Sequence, residues 1–452
     1  MIKNKVEMKG ELKMSNNMIE PKTLPGFMEL SPNDQVKFNQ MRETIQKSYE
    51  RFGFLPLDTP IIEFSEVLLA KAGGETEKQI YRFMKGETDL SLRFDLTVPL
   101  AKYVAQYYNE LAFPFKRYQI GKVYRGEKAQ KGRYREFYQC DIDIIGNGEL
   151  SIINDAQMPS VIYNTFKDLG FDNFTICINN RKILNGLFTS LGLSELSADV
   201  LRIIDKIEKI GKESVKEELQ EIGVNEQALS KIMNFIGIDG NIDEKIQVLK
   251  QFGITDELFL QGVQELEDVI KYIRILGVPE GYFTIDLKIA RGLDYYTGTV
   301  YETFLNDYRK LGSICSGGRY DNLAEYYTNQ KLPGVGISIG LTRLFYQLSQ
   351  IDAIKADRET ISEVLVIPME NEIEQCLTIA KELRNAGINT DVYLEEGKIK
   401  KKMKYADKWN IPYVIIVGEE EVKTQKFTLK NMKTGEQKQI TIEECKKGTG
   451  PI

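Results

Sequence analysis

The fold of this chain is constrained most by two segments in which apolar and polar residues alternate. In residues 90–97 (LSLRFDLT) every second residue is leucine or phenylalanine, and the residues between them are Ser91, Arg93, Asp95 and Thr97. Residues 136–145 (EFYQCDIDII) place a second alternating set on one face: Phe137, Gln139, Asp141 and Asp143. Successive side chains of a strand point to opposite sides of a sheet, so each segment is predicted to be a half-buried antiparallel strand with a polar face.

The length and charge of the chain limit the other possibilities. At 452 residues it is long enough for two or three domains and at least one large core. Its 60 Lys and Arg residues against 66 Asp and Glu residues leave a net charge of −6. Any contact with a nucleic acid must therefore come from a local basic patch.

Histidine is absent from the sequence. This absence excludes Ser-His-Asp hydrolases, Cys-His proteases and His-ligated zinc sites, and leaves Arg, carboxylates, Tyr or a bound metal ion to carry any chemistry. The five cysteines form no Cys-x-x-Cys pair, so we expect neither a disulfide framework nor a metal site built from the chain's own residues. Because the sequence also has no apolar run of membrane-spanning length and no secretion signal, we expect a cytoplasmic protein without membrane contact.

Patterns further along the chain divide it into mixed, helical and α/β stretches. Residues 34–52 have helical spacing and precede a short strand that Pro60 closes. Residues 195–275 are rich in Ile, Leu, Lys and Glu at helical spacing, which predicts a helical insertion. From residue 362 onward, strand-like and helix-like segments alternate, which is typical of a separate α/β unit.

Five blocks of the sequence resemble known motifs. Residues 34–60, residues 115–146 (FKRYQIGKVYRGEKAQKGRYREFYQCDIDIIG) and residues 334–344 (GVGISIGLTRL) resemble motifs 1, 2 and 3 of class II aminoacyl-tRNA synthetases. Residues 290–296 (ARGLDYY) and 317–323 (GGRYDNL) resemble two motifs peculiar to histidyl-tRNA synthetases. Together with the terminal α/β unit, the order of these blocks extends the resemblance to the histidyl-tRNA synthetase family over nearly the whole chain.

The resemblance implies an α+β fold. Helices would flank the antiparallel sheet of the class II synthetases, with a helical insertion and a C-terminal α/β anticodon-binding domain. The implied divisions are an N-terminal extension (1–25), two parts of a catalytic core (26–194 and 276–350), the helical insertion (195–275), a linker (351–361) and the anticodon-binding domain (362–452).

The resemblance also implies a homodimeric enzyme that uses ATP, with Mg²⁺, to activate L-histidine as histidyl-adenylate and transfers it to the 3′ end of tRNA(His). In the first step a carboxylate attacks the α-phosphate, so two anions approach and preorganised guanidinium groups would stabilise the developing charge. By resemblance, the catalytic residues are Arg125, Arg291 and Arg343.

The same motifs imply the two substrate sites. The implied histidine-binding residues are Asp95, Leu96, Thr97, Arg125, Gln139, Asp143, Arg291, Tyr295 and Tyr296. Among them Asp143 and Tyr296 would receive the imidazole, because a neutral imidazole offers one donor and one acceptor. The implied ATP-binding residues are Arg125, Glu127, Arg133, Phe137 and Arg343. Tyr320 either completes the pocket or is an ordinary core aromatic.

Two polar and basic segments are the expected contacts with tRNA. The first is the loop of the second motif, with Lys128, Gln130 and Lys131, and the second is a lysine run that includes Lys400, Lys401 and Lys404. A lysine run is more often simply a solvated face. Its place in a unit that resembles an anticodon-binding domain favours phosphate contact, which contributes affinity and little sequence information.

Two alternatives remain open on sequence alone. One is the non-catalytic paralogue that serves as regulatory subunit of ATP phosphoribosyltransferase; it shares the catalytic fold but lacks the last domain. The other is a protein that binds histidine or tRNA without joining them. A duplicate copy of a synthetase would have the same activity as the original.

Overall fold

The computed structural model describes residues 19–70, 75–128, 132–204, 206–289, 295–322, 324–354 and 359–447. Its strands, in chain order, are β1 (Leu55–Pro56), β2 (Ile62–Phe64), β3 (Arg82–Lys85), β4 (Thr88–Leu92), β5 (Phe115–Tyr124), β6 (Glu136–Ile145), β7 (Phe174–Asn180), β8 (Phe283–Ile285), β9 (Thr299–Leu305), β10 (Cys315–Tyr320), β11 (Gly334–Ile339), β12 (Val364–Pro368), β13 (Thr390–Val392), β14 (Tyr413–Val417), β15 (Phe427–Asn431) and β16 (Gln437–Ile440).

The α-helices of the described residues are α1 (Pro32–Arg51), α2 (Ser65–Leu69), α3 (Glu75–Gln79), α4 (Thr97–Gln106), α5 (Ile153–Asp168), α6 (Arg181–Ser190), α7 (Ser197–Ile204), α8 (Ile207–Glu221), α9 (Glu226–Ile236), α10 (Ile242–Lys250), α11 (Glu257–Ile275), α12 (Leu341–Ser349), α13 (Ile373–Asn385), α14 (Ile399–Lys408), α15 (Glu419–Thr424) and α16 (Ile442–Lys446).

The largest sheet has eight strands in the order β1-β5-β6-β11-β10-β9-β7-β8. Its neighbouring strands are antiparallel except for β1–β5 and β7–β8, which are parallel. This antiparallel-rich sheet, with helices packed on it, confirms the predicted fold class. The order also brings β6 beside β11, so two segments that are far apart in sequence lie side by side in the sheet.

The strand predicted at residues 136–145 is confirmed as β6. It pairs with β5 along its whole length, from Phe115 opposite Ile145 to Tyr124 opposite Glu136. The apolar side chains of β6 enter the main hydrophobic core: Cys140, Ile142 and Ile144. The polar face does not meet bulk water, because Asp141 and Asp143 on it are both 3% exposed.

The prediction that residues 90–97 form one strand is wrong. Strand β4 ends at Leu92, in a separate sheet of order β2-β4-β3, and α4 begins at Thr97. Buried apolar residues recur at helical spacing after that point: Val98, Leu100, Ala101 and Val104. In addition, the Asp95 carboxylate accepts a 3.0 Å hydrogen bond from the amide of Val98, which satisfies a donor of the first helical turn. Asp95 and Thr97 therefore stand at the entrance of a helix, not on a strand face.

The predicted helix at residues 34–52 is α1. Ser31 begins it by accepting a 3.2 Å hydrogen bond from the amide of Asp34, and Pro32 occupies its first turn. Its apolar side is buried against the same chain through Phe38, Met41, Ile45 and Tyr49.

The rest of the described chain forms a group of helices and a second sheet. Helices α7 to α11 lie within the predicted helical insertion, and α11 packs against α5 and α6. From Val364 onward the chain forms a sheet of order β13-β12-β14-β15-β16 with its own apolar core. In the described part of the chain, every helix is too short or too polar to cross a bilayer.

Candidate active site

A cavity of about 440 Å³ lies over the polar face of β6. Residues from β6, β9, β10 and β11, from the entrance of α4 and from the start of α12 line it. The predicted site residues in its wall are Asp95, Thr97, Arg125, Glu127, Arg133, Phe137, Gln139, Asp143, Tyr295, Tyr296 and Arg343. Residues that the sequence assigned to histidine and to ATP thus share one cavity.

Several predicted residues lie elsewhere. The side chain of Leu96 is wholly buried and is absent from the cavity wall, while its carbonyl oxygen accepts a 3.0 Å hydrogen bond from Arg117. Lys128 is exposed outside the cavity. Arg291, Gln130 and Lys131 fall outside the described residues.

The floor of the cavity, formed by Asp95, Gln139, Asp141, Asp143 and Ser338, is unusually acidic for a buried surface. Asp95 is 2% exposed, and Asp141 and Asp143 are each 3% exposed. Three acceptor atoms there have neither a hydrogen-bond partner nor an ion pair among the described residues: Asp95 Oδ2, Gln139 Oε1 and Asp141 Oδ1. Asp143 Oδ2 also has no hydrogen-bond partner there, but it forms an ion pair with Arg117. Because a buried polar group without a partner is costly, these atoms indicate a ligand that brings N–H donors.

Burial changes the ionisation of the acids on the floor. Loss of hydration raises the pKa of Asp141 to about 7 and that of Asp143 to about 6, while the positive charge of Arg117 lowers both. Burial also raises the pKa of Asp95, against hydrogen bonding from the Val98 amide and the charge of Arg125. These acids are therefore protonated more readily than exposed carboxyl groups, and a bound cation would favour their ionised forms.

Asp143 is held from two sides. Its Oδ1 accepts a 2.7 Å hydrogen bond from the hydroxyl of Tyr320, and its Oδ2 lies 2.6 Å from Nη2 of Arg117. Gly336 on β11 lies directly opposite, and a Cβ atom on Gly336 would stand 2.2 Å from Oδ1 of Asp143. Only glycine at this position leaves room for the carboxylate to lie along the floor.

Guanidinium groups stand on the other walls. Arg125 donates from Nε to the carbonyl of Phe94 at 3.0 Å, and its guanidinium carbon lies 5.2 Å from the ring centroid of Phe137. Arg343, in the first turn of α12, donates from Nη2 to the carbonyl of Leu311 at 2.6 Å. Both side chains are only partly buried, so they offer fixed positive charge to the cavity.

The structure adds cavity residues that the motifs did not assign. Asp141 and Ser338 line the floor, and Glu302 lines the wall from β9. Asp141 follows from the alternation of β6, which places it between Gln139 and Asp143. Ser338 has no such signal, because its place opposite Asp141 depends on the pairing of β11 with β6.

The described residues contain no group of three or more Cys, Asp or Glu side chains placed to hold a metal ion. A magnesium ion that arrives with a nucleotide needs only one or two carboxylates, since phosphates and water supply its other ligands. Glu127 and Glu302, both in the cavity wall, fit that requirement.

Comparisons with known proteins point to one family. Residues 26–344 match the family model described as histidyl-tRNA synthetase, and residues 363–448 match the model described as anticodon binding domain. A histidine–tRNA ligase of Clostridium tetani is 60% identical over 433 residues, which cover 96% of this chain and 98% of that protein. A histidine–tRNA ligase of Finegoldia magna is 50% identical, covering 94% of this chain and 99% of the relative.

A solved structure also points to the histidyl-tRNA synthetase family. The crystal structure of histidyl-tRNA synthetase from Nostoc sp. PCC 7120 superposes with a TM-score of 0.88 at 42% identity, covering 95% of this chain and 99% of that one. The family model alone spans well over half of the chain, and the relatives are matched over almost their full length. The chain therefore belongs to the histidyl-tRNA synthetase family.

Proposed function

We propose that the chain is a histidine–tRNA ligase, which activates L-histidine with ATP to histidyl-adenylate and transfers the histidyl group to the 3′ end of tRNA(His). One observation carries the proposal: a buried acidic floor, with acceptors that have no hydrogen-bond partner in the described part of the chain, lies in the same cavity as the guanidinium groups of Arg125 and Arg343. The floor suits an amino acid that carries an ammonium and a second N–H group. The guanidinium groups suit a nucleotide.

The floor divides into two ends for histidine. Asp95, Thr97 and Gln139 receive the α-ammonium group. Two of its three N–H donors match Asp95 Oδ2 and Gln139 Oε1, which have no hydrogen-bond partner among the described residues. Asp143 and Tyr296 receive the two imidazole nitrogens. A site that hydrogen-bonds both nitrogens disfavours amino acids without an imidazole, because the buried acceptor would be left unpaired.

Arg125 and Tyr295 complete the histidine pocket, with Leu96 contributing through its backbone. Tyr295 packs edge-on against Tyr296, at 5.1 Å between ring centroids, and against Tyr320 at 5.9 Å. These contacts fix the Tyr296 ring beside the acidic floor. Arg291 belongs to this set and to the catalytic set on the strength of its motif.

ATP occupies the opposite part of the cavity. Arg125, Glu127, Arg133, Phe137 and Arg343 bind it, with Phe137 offering a face to the adenine ring. Glu127 and Glu302 are the carboxylates that would hold a Mg²⁺ ion that accompanies ATP, and the ion would supply positive charge to the phosphates.

In the activation step, a carboxylate oxygen of histidine attacks the α-phosphorus, and the bond to the bridging oxygen breaks to release pyrophosphate. Arg125, Arg291 and Arg343 stabilise the negative charge that develops, because guanidinium groups remain ionised and fork onto two oxygens. A ribose hydroxyl at the 3′ end of the tRNA then attacks the carbonyl carbon, and AMP leaves.

The tRNA contacts are assigned to two regions. Lys128, Gln130 and Lys131 contact the acceptor end, and Lys400, Lys401 and Lys404 contact the anticodon arm. The last three are all exposed on α14. Their neighbour Lys402 is not available, since its side chain is 3% exposed and its ammonium donates to the carbonyl of Pro368 at 2.8 Å.

The domain divisions expected from the sequence remain part of this proposal: an extension (1–25), a catalytic core in two parts (26–194 and 276–350), the insertion (195–275), a linker (351–361) and the anticodon-binding domain (362–452). We place the protein in the cytoplasm, because its five cysteines are free and buried, as in a reducing compartment.

A homodimer is supported by an apolar face of the three-stranded sheet. Phe64 and Phe83 both lie opposite Leu90 in the register, so with Ile62 they share one face. Ile62 is 48%, Phe64 55% and Phe83 39% exposed. Replacing Phe64 with lysine should shift the sedimenting mass towards a monomer, whereas the same change at exposed Ile275 should not. A wild-type chain that sediments as a monomer would contradict the homodimer.

The regulatory-subunit alternative is less well supported. The anticodon-binding unit is present, and the relatives described above carry the ligase name over almost their full length.

Amino-acid-dependent exchange of pyrophosphate into ATP tests the activation step. We expect exchange with histidine and none with the other amino acids. Arg343→Gln should weaken exchange, while Arg309→Gln, at an exposed arginine outside the cavity, serves as the matched control. Histidine binding without exchange would support a binding protein instead.

A further inference from the structure

Arg117 is a buried arginine to which none of the motifs assigns a role. It lies on β5 opposite Asp143 of β6, and its side chain is wholly inaccessible to solvent. It is not among the described residues that line the cavity, whereas Asp143 is. Arg117 can therefore affect the cavity through its ion pair with Asp143, and it does not line the cavity itself.

One nitrogen of Arg117 serves two partners. Nη2 lies 2.6 Å from Oδ2 of Asp143 and donates a 3.0 Å hydrogen bond to the carbonyl of Leu96. Leu96 lies between Asp95 and Thr97, immediately before α4. A single guanidinium group thus ties the acid at the imidazole end of the pocket to the backbone that carries the residues at the ammonium end.

We propose that Arg117 is a positioning residue that sets specificity for histidine: it holds the Asp143 carboxylate ionised and oriented, and fixes the backbone at Leu96 relative to it. This inference rests on the proposed function and deepens it. It also gives Leu96 a role that does not require its side chain to face the cavity.

The groups around Asp143 show why a cation is needed there. Among the residues that the structure describes, the titratable and charged groups that face it are Arg117 from β5, Tyr320 from β10, Asp141 from its own strand, Asp95 from the entrance of α4 and Tyr296 from the segment before β9. Of these five, only Arg117 is positive. Without it, burial and two nearby acids favour the protonated carboxyl, which is a poorer acceptor for an imidazole N–H group.

The test is Arg117→Gln, with the KM for histidine, the KM for ATP and kcat of pyrophosphate exchange measured from pH 6.5 to 8.5. At pH 7.5 we expect the KM for histidine to rise on the order of 10- to 100-fold, the range for losing a hydrogen bond to a charged group, with much smaller changes in the KM for ATP and in kcat. The raised KM should fall as the pH rises and Asp143 ionises. The wild-type KM should change much less over this range, because the pKa of Asp143, about 6, lies below it.

Arg117→Lys keeps the positive charge but not the forked geometry. Its KM for histidine should also be raised, with a pH profile as flat as that of the wild type. This variant still tests the proposal if Arg117→Gln does not fold.

Arg93→Gln is the matched control. Arg93 is 2% exposed and donates from Nε to the carbonyl of Lys122 at 2.8 Å, and neither of the two residues lines the cavity. The proposal is overturned if the variants at Arg117 keep the wild-type KM for histidine, or if their KM values for histidine and ATP rise together as a general loss of structure would make them. Wild-type protein that exchanges with no amino acid would overturn the proposed function itself, which is a separate result.

Discussion

The hydroxyl of Tyr320 donates a 2.7 Å hydrogen bond to Oδ1 of Asp143 on the floor of the cavity. Tyr320 is 2% exposed, and the two residues come from strands that are not neighbours in the chain. The hydrogen bond fixes one oxygen of Asp143, so the direction in which the carboxylate faces histidine depends on Tyr320.

Tyr320→Phe should therefore weaken histidine binding. Loss of a hydrogen bond to a charged acceptor corresponds to a rise of roughly 10- to 100-fold in the KM for histidine, with the KM for ATP little changed. Pyrophosphate exchange at varied histidine concentration measures it. Tyr327→Phe removes a hydroxyl that donates to the carbonyl of Val67 at 2.8 Å, away from the cavity wall, and is the control. An equal effect of the two variants would argue against the role of Tyr320.

Gly336→Ala should damage the same pocket by a steric route. The added Cβ would lie 2.2 Å from Oδ1 of Asp143 and 2.5 Å from the carbonyl of Ile142, and the latter is backbone that cannot move aside. We expect a loss of about 1–3 kcal/mol of stability and loss of most histidine-dependent exchange. A Cβ on Gly281 would meet nothing within 4 Å, so Gly281→Ala is the control. Full activity of Gly336→Ala would show that the Asp143 carboxylate can move aside without loss of histidine binding.

Asp141→Asn should change how stability depends on pH. The pKa of Asp141 is raised to about 7 in the folded chain, above its value of 3.8 in the unfolded chain. Between these values the folded state binds the proton more tightly, so the wild type loses stability as the pH rises through that window. The asparagine variant lacks this loss, and its advantage over the wild type should grow by on the order of 1–4 kcal/mol from pH 5 to pH 8. Urea unfolding followed by circular dichroism measures the difference; one that stays constant with pH would contradict the assignment.

Replacing Lys400, Lys401 and Lys404 together with glutamine should weaken tRNA binding and leave pyrophosphate exchange unchanged. If each lysine contacts one phosphate, the slope of log affinity against log salt concentration should become shallower by about 2 to 3. The control triple is Lys423, Lys426 and Lys433, which are exposed in the same C-terminal unit. An unchanged salt slope for the first triple would mean that α14 is only a solvated face.

The sequence predicted the parts of the fold and site that depend on local periodicity. The alternation at residues 136–145 identified β6 and placed Gln139, Asp141 and Asp143 on one face, because a strand keeps its period of two. The same pattern at residues 90–97 was misleading. There the alternation continues through a turn into α4, where Asp95 satisfies the first helical turn instead of facing along a strand.

The contacts that complete the site could not be read in this way. Arg117 meets Asp143 because of the register of the β5–β6 hairpin, and Gly336 meets it because β11 lies beside β6. Both pairings bring together residues from different segments, and no periodicity within one segment encodes them. An arginine on the polar face of a strand is ordinarily a surface residue. The burial of Arg117 therefore could not be predicted from the sequence.

The most direct test of the account is aminoacylation itself. The purified chain is incubated with ATP, Mg²⁺ and labelled histidine, together with either tRNA(His) or a tRNA for another amino acid. We predict that the label becomes attached to the 3′ end of tRNA(His) alone, and that Asp143→Asn lowers the rate at limiting histidine. Failure to attach histidine to tRNA(His), or attachment of another amino acid in its place, would contradict the account.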